Sequence, residues 1–311
     1  MLALVNQAQG WNPALSVTAI CDQLGLPRAK FYRWQARQAD GQLADRVVVP
    51  RRQAVPPTPP EVTTVRNYAH GHPELGYKRL AWTMVDENVA FLRPGMVYAV
   101  LAEAQLLGRR QPAPTGLRRP AEADHPDQRW HTDLMSLYFA GRWFWLVDVL
   151  DAYSRYLIDC EVLLTARASV VERALQRALE TLDGRWRLPG EPEIVHDNGP
   201  QFLGREWLQL VRQSGMTNVR TLPYHPQSNG RDERFHRTLR EEVCLAEDDT
   251  LYEVQRLIAE YRVYYNERRA HSALHYLRPI DYYRGDPAAR LAEREAKLQA
   301  AAEQRKHYWG S

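Results

Sequence analysis

Three carboxylates stand in distinctive local settings in this 311-residue chain. They are Asp133 in Trp130-His131-Thr132-Asp133, Asp197 in Val195-His196-Asp197-Asn198-Gly199-Pro200-Gln201-Phe202, and Glu233 in His225-Pro226-Gln227-Ser228-Asn229-Gly230-Arg231-Asp232-Glu233. The last two are separated by 35 residues. Carboxylates suit a hard cation, because Mg²⁺ takes oxygen ligands in near-octahedral geometry and is held by few protein carboxylates plus waters and substrate phosphate oxygens. Three carboxylates on separate elements can hold two divalent ions about 3.5–4 Å apart, as in-line attack on a phosphodiester requires. Asp133, Asp197 and Glu233 are therefore the expected catalytic and metal-ligating residues. The expected cofactor is a pair of Mg²⁺ ions, with Mn²⁺ able to substitute. A lone Asp would carry no such weight, since Asp and Glu mostly sit exposed.

Nearby acids are weaker candidates. Asp151 beside Ser154 suits a turn, where an Asp side chain bonds nearby backbone amides. Asp148 and Asp159 lie near the motifs, and Asp232 would point about 100° away from Glu233 on a helix. His196, His225 and His236 either orient water or phosphate or are packing histidines.

The elements that must position the three acids are legible from periodicity. Stretches 130–139, 143–150 and 155–163 are rich in aromatic and β-branched residues, with Gly141-Arg142 and Asp151–Ser154 between them, so they read as three antiparallel strands. Residues 167–183 place Val170, Val171, Ala174, Leu175, Ala178, Leu179 and Leu182 on one helical stripe ending at Gly184. A short strand at 193–196 delivers Asp197, a helix runs from about Gln201 to Ser214, and a strand at 218–222 leads through Pro223–Pro226 to the helix bearing Glu233. On that helix Glu233, Arg237 and Arg240 fall at i, i+4 and i+7, which sets an acid and two cations on one face. Residues 250–268 form an amphipathic helix burying Leu251, Val254, Leu257, Ile258 and Tyr261.

The front of the chain reads as two helical modules. Residues 15–37 break at Gly25 and restart as a basic, aromatic helix, a helix-turn-helix pattern within a module at 1–38 in which Arg28, Lys30, Tyr32 and Arg33 meet DNA. A Pro-rich linker spans 39–60. The segment Gly76–Trp82 followed by Arg93–Leu101 gives a second helix-turn-helix candidate within 61–107, with Lys78 and Arg79 as its DNA contacts. A basic, proline-broken linker covers 108–124, the catalytic domain 125–285, and an Ala-rich charged helix 286–311, expected to project as a tail or to bind a partner.

Charge follows that division. The net charge is +3, yet residues 1–120 hold 15 Lys/Arg against 8 Asp/Glu. A basic front half is the footprint of nucleic-acid binding and an acidic remainder that of a metal-binding half. Cys21, Cys160 and Cys244 are too scattered for a disulfide framework or a zinc pair. No signal-peptide pattern and no apolar run of 18 residues is present, so the expected location is the cytoplasm.

The region from about Arg129 to Tyr283 resembles the integrase catalytic core of bacterial insertion-sequence transposases, the group made as a second reading frame fused to a first. The matching segments are His131-Thr132-Asp133, Asp151–Arg155, His196–Phe202, His225–Glu233, Tyr265–Arg269 and Arg278-Pro279. One departure is Arg240, where the family often carries Lys; the charge stays, but a rigid fork replaces a point charge. The resemblance implies an α/β ribonuclease-H-like core, with a mixed five-stranded sheet and flanking helices, preceded by small all-α helix-turn-helix modules. It implies a transposase that binds element ends and carries out 3′-end cleavage and strand transfer. Asn198, Arg237 and Arg240 would be further DNA contacts. Its partners would be element-end and target DNA, a homodimer or higher synaptic complex, and a first-frame protein. The alternative is a DNA-binding subunit or regulator of the same fold that is not itself catalytic.

Overall fold

The computed structural model describes residues 1–39, 41, 55–107, 123–181, 192–221 and 230–310. The body of the Pro-rich linker, the basic linker 108–122 and the approach to Glu233 that holds Pro223 to Pro226 lie outside the described residues. Two compact units are present, Met1–Ala54 and Val55–Ser311.

The first unit contains α1 (Leu2–Trp11), α2 (Val17–Gln23) and α3 (Arg28–Ala39). Ser16 caps α2 by accepting from the Ala19 amide at 3.1 Å. Gly25 turns the chain with φ +63°, a left-handed conformation that costs glycine little. Leu2, Val5, Ile20, Cys21, Leu26 and Phe31 form the core, with Trp34 packed against it.

The second unit opens with α4 (Pro59–Gly71), α5 (Tyr77–Asp86) and α6 (Pro94–Glu103), packed around Val65, Leu80, Met84, Leu92, Val97 and Leu101. Helix α4 starts inside the expected linker. Pro59 and Pro60 occupy its first turn, where a missing N–H costs nothing, and Thr58 and Glu61 close a capping box.

Strands β1 (Arg129–Phe139), β2 (Arg142–Asp151) and β3 (Leu157–Leu163) pair antiparallel in sequence. Helix α7 (Ala168–Glu180) then crosses to β4 (Glu193–His196), which lies parallel beside β1. Helix α8 (Arg205–Gln213) leads to β5 (Thr217–Arg220) at the edge, giving the order β3-β2-β1-β4-β5. The single helix expected from Gln201 is instead a 3₁₀ turn at Pro200–Phe202 followed by α8, with Gly204 at the break. Helices α9 (Gly230–Glu242), α10 (Leu251–Glu267), α11 (Pro279–Tyr283) and α12 (Pro287–Gly310) complete the chain. This is the ribonuclease-H-like fold.

Strand alternation sorts the sheet into two buried faces. Trp130, Val147, Val149, Ile158 and Ile194 meet α7 and α8 on one. Met135, Leu137, Leu146, Leu150 and Val162 meet Phe235 and Leu239 of α9 and Val254, Ile258 and Tyr261 of α10 on the other. Asn266 fastens α10 to β3, since its side chain accepts from the Leu157 amide at 2.8 Å and donates to the Leu157 carbonyl at 2.9 Å.

The C-terminal helix does not project. Arg294, Leu298, Ala301 and Arg305 of α12 are buried, and they lie against the three-helix module. Its inward face is half arginine, so an apolar stripe was a poor guide to its burial.

Candidate active site

Strand β1 runs through the middle of the sheet, and its pleat turns His131, Asp133 and Met135 toward α9. Asp133 lies opposite Asp148 of β2. On its other side His131 pairs with Val195 of the parallel strand β4, which ends at His196, one residue before Asp197. Asp133 therefore lies on one strand and Asp197 just past the end of its neighbour.

Helix α9 packs over this part of the sheet. Asp232, Phe235, His236 and Leu239 fall at i, i+3, i+4 and i+7 and are all buried. Phe235 and Leu239 enter the apolar layer, while Asp232 and His236 arrive at the acids. His236 Nε2 donates to Asp148 Oδ1 at 2.6 Å, and its Nδ1 stands 3.8 Å from Asp133 Oδ2. Asp232 Oδ2 lies 3.3 Å from His131 Nδ1, without hydrogen-bond geometry, while Arg231 donates to His131 Nε2 at 3.3 Å. Burial, then the charges of Asp232 and Asp148, push the Asp133 carboxyl up to about 7. Burial likewise raises Asp148. Burial opposes charge on His236, but Asp148 outweighs it and raises the imidazole to about 9.

Asp197 is held from its own loop. Its Oδ1 accepts from the Gly199 amide at 2.8 Å. A side chain at 199 would meet that same oxygen at 2.8 Å, so glycine permits the close turn. His196, fully buried and stacked on Phe202, is hydrogen-bonded through Nδ1 to the Asp197 carbonyl at 2.5 Å and through Nε2 to Asn218 Oδ1 at 2.8 Å. Trp207 Nε1 also donates to Asn218 Oδ1. The end of β4 is thereby tied to β5 and α8.

Glu233 stands on the exposed side of the first turn of α9, with Arg237 and Arg240 exposed along the same stripe. From α9 it is Asp232, one residue earlier, whose charge reaches Asp133. Among the described residues no group of three acidic, histidine or cysteine side chains forms a ready metal cage. The donor chemistry nevertheless suits a hard divalent cation. Both oxygens of Asp232 and Oδ2 of Asp148 are buried with no hydrogen-bond partner, a costly state that a cation relieves. Sequence reasoning passed over Asp148, Asp232 and His236 as lesser candidates, although the spacing 232, 235, 236, 239 marks both polar residues as inward-facing.

The expected DNA contacts are distributed. Arg28, Lys30, Tyr32 and Arg33 are exposed on α3, with Arg28 5.7 Å from the Tyr32 ring centre and Lys30 4.8 Å from that of Trp34. Lys78 is exposed on α5. Arg79 is engaged, lying 3.6 Å from Glu242 at the end of α9. The Asn198 amide donates to the Thr221 carbonyl at 3.0 Å, so it ties the ends of β4 and β5.

Buried acids thus lie at the centre of a five-stranded sheet with helices on both faces. Two models of the integrase core domain match the chain, over residues 123–226 and 214–279. A 31.7 kDa protein of insertion element IS407 from Burkholderia multivorans is 31% identical over 222 residues, 69% of this chain and 77% of that protein. The transposase InsD of insertion element IS2D from Escherichia coli is 27% identical over 226 residues, 68% of this chain and 74% of InsD. InsK of IS150, from the same species, is 29% identical over 174 residues, 55% of this chain and 60% of InsK. The chain belongs to the bacterial insertion-sequence transposases with an integrase core, a family of polynucleotidyl transferases. Solved structures with some likeness include a simian T-cell lymphotropic virus intasome (14% identity, TM-score 0.44, 71% of this chain and 74% of that one). Another is the HTLV-2 integrase catalytic core domain in complex with magnesium (16% identity, TM-score 0.38, 51% and 98%). No helix among the described residues is long and apolar enough to cross a membrane.

Proposed function

We propose that the chain binds the ends of its own mobile element, cleaves them to free 3′-hydroxyls and joins those to target DNA, using Asp133, Asp197 and Glu233. What supports this reading is that Asp133 lies on β1 and Asp197 follows the end of the adjacent parallel strand β4, with the buried, unpartnered carboxylate oxygens of Asp148 and Asp232 nearby. Asp133 and Asp197 would hold the metal from the sheet. Glu233, exposed on the adjoining helix turn, would close the site from above when DNA is bound. A pair of Mg²⁺ ions held there would activate water in the cleavage step and the freed 3′-hydroxyl in the joining step, and would stabilise the leaving 3′-oxygen in each. His236, fixed by its hydrogen bond to Asp148, stands as a cation 3.8 Å from Asp133, and His196 holds the backbone of Asp197.

Arg237 and Arg240 extend from Glu233 along one exposed stripe, where they would track the phosphate backbone beside the scissile bond. Helix α3, with Arg28, Lys30, Tyr32 and Arg33, and the α4–α6 module, with Lys78, would read the element ends. Two ends act together, which calls for a dimer or larger synaptic complex and has room for a first-frame partner, in the cytoplasm at the nucleoid.

The test is incubation of the purified chain with DNA carrying its native flanks, in Mg²⁺ or Mn²⁺, with and without the first-frame protein. Metal-dependent 3′ cleavage and joined products are expected. Specific binding with no metal-dependent product in any combination would leave a DNA-binding subunit instead.

A further inference from the structure

Helix α12 joins two parts of the second unit that are distant in sequence. Arg294, with 4% of its side chain exposed, sends Nε and Nη2 to the two carboxylate oxygens of Asp86 at 2.7 and 2.6 Å. The same guanidinium sends Nη1 and Nη2 to the carbonyls of His275 and Tyr276 at 2.9 and 2.7 Å, and lies 5.0 Å over the Trp82 ring. Asp86 and Trp82 belong to α5, in the three-helix module. His275 and Tyr276 belong to the loop that closes the catalytic core after α10. Both have φ near +55°, at 52° and 60°, a conformation that non-glycine residues hold only where their surroundings enforce it.

One buried fork thus spends two donors on the module and two on the core. Lysine has neither the planarity nor the reach of five fixed donors to do this. Further along α12, Arg305 donates to Glu61 Oε1 at 2.8 Å and to the Phe91 carbonyl at 3.1 Å. Glu295 accepts from Arg93 at 2.7 Å, and Trp309 Nε1 donates to the Pro56 carbonyl at 2.9 Å. The module is therefore laid along α12, and Arg294 is the most buried of the contacts that join that assembly to the core, beside Arg79–Glu242 at 3.6 Å and Arg290–Asp281 at 3.7 Å.

We infer that Arg294 is a positioning residue: through it α12 holds the α4–α6 module at one distance and angle from the acids of the core, so that the base pairs the module reads fix which phosphodiester is cut. The inference rests on the reading of the module as end-binding and of the acids as cleaving. A misplacement on the order of 1 Å costs about 100-fold in rate at the proper bond. Loss of the fork accordingly spreads cleavage over neighbouring phosphates while DNA affinity is kept.

Two measurements on the full-length protein separate this inference from the functional reading beneath it. In the first, spin labels on the exposed native Cys244 and on Tyr98→Cys, at an exposed position of α6, report the core–module distance without DNA. Wild type should give one narrow distribution and Arg294→Met a broad one, with Arg294→Lys also broadened. A narrow distribution in Arg294→Met, or a broad one in wild type, overturns the clamp whatever the protein does to DNA. In the second, cut sites on flank DNA are mapped at nucleotide resolution. A single position in wild type and a spread in Arg294→Met, at equal flank affinity, is expected; an unchanged single position overturns the inference. If wild type makes no cut, the cleavage reading fails and the distance measurement still decides the clamp. Asp86→Asn, which leaves both core-side hydrogen bonds of Arg294 in place, repeats both measurements should Arg294→Met not fold.

Discussion

Replacing Asp232 by valine should stabilise the metal-free protein, an unusual direction for removal of a charged group next to an active site. Asp232 is fully buried, and neither carboxylate oxygen has a hydrogen-bond partner. A buried polar group left unsatisfied costs about 1–3 kcal/mol. Against that gain stands about 0.3–1 kcal/mol of favourable interaction between a first-turn acid and the helix dipole; valine and aspartate have nearly equal helix propensity, and the His131 ring 3.3 Å away makes no hydrogen bond to the acid. The balance is about 1 kcal/mol in favour of valine, which for a domain of this size raises the melting midpoint by about 2–4 °C. Thermal unfolding followed by circular dichroism in chelator measures it. The same experiment in Mg²⁺ asks which acid of α9 binds the ion: at 100 times its dissociation constant an ion adds about 2.7 kcal/mol. If Glu233 is the ligand, Asp232→Val keeps that increment. A midpoint below wild type in chelator would refute the reasoning, because it would mean that the Asp232 carboxylate already has a partner worth more than its burial costs.

Four other outcomes are expected. Arg269→Met leaves Glu242, a quarter exposed, without the bidentate partner that holds it at 2.8–3.0 Å. The loss is about 2–3 kcal/mol in urea unfolding, below the roughly 3–5 kcal/mol for breaking a fully buried pair, because of that exposure and because Arg79 stays 3.6 Å from Glu242. His271 is held neutral, since burial and then the nearby Arg269 depress its pKa to about 3. The unfolded chain therefore binds one more proton between about pH 3 and 6.5, and stability falls as pH drops through that window by up to about 1.4 kcal/mol per unit. His271→Gln should flatten that slope in urea midpoints taken at pH 5 and 7. Asn266→Ala strands the amide and carbonyl of Leu157 and should cost about 2–3 kcal/mol by the same assay. Arg237→Glu should weaken binding to flank DNA of any sequence and lower the magnitude of the salt slope, measured by fluorescence anisotropy, by about 1 per lost phosphate contact.

The fold was largely legible because its signals are local. The strand at 143–150 is a run of aromatic and β-branched residues and the helix at 167–183 carries an unbroken apolar stripe, and each was marked by turn residues at its end. The break at Gly204 was missed because a 3₁₀ turn and the following helix share one run of sequence. Helix α12 was misjudged for a different reason: its buried face contains Arg294 and Arg305, whose partners Asp86 and Glu61 lie more than 200 residues upstream, and no window of sequence contains both ends of such a pair. Within the site, the motif drew attention to Glu233, yet helical spacing from Phe235 and Leu239 turns Asp232 and His236 inward. Asp148 could be recognised only once β2 was paired with β1 in register, which is a tertiary fact.

The central claim is that strand transfer runs on Asp133, Asp197 and Glu233. The most direct measurement is the yield of joined DNA in Mg²⁺ from wild type and from Asp133→Ala, Asp197→Ala, Glu233→Ala and Asp232→Val, each first shown to be folded and to bind flank DNA. Joining should vanish in the three alanine variants and persist in Asp232→Val. Joining that survives in Glu233→Ala and is lost in Asp232→Val would contradict the account and move the third acid to Asp232.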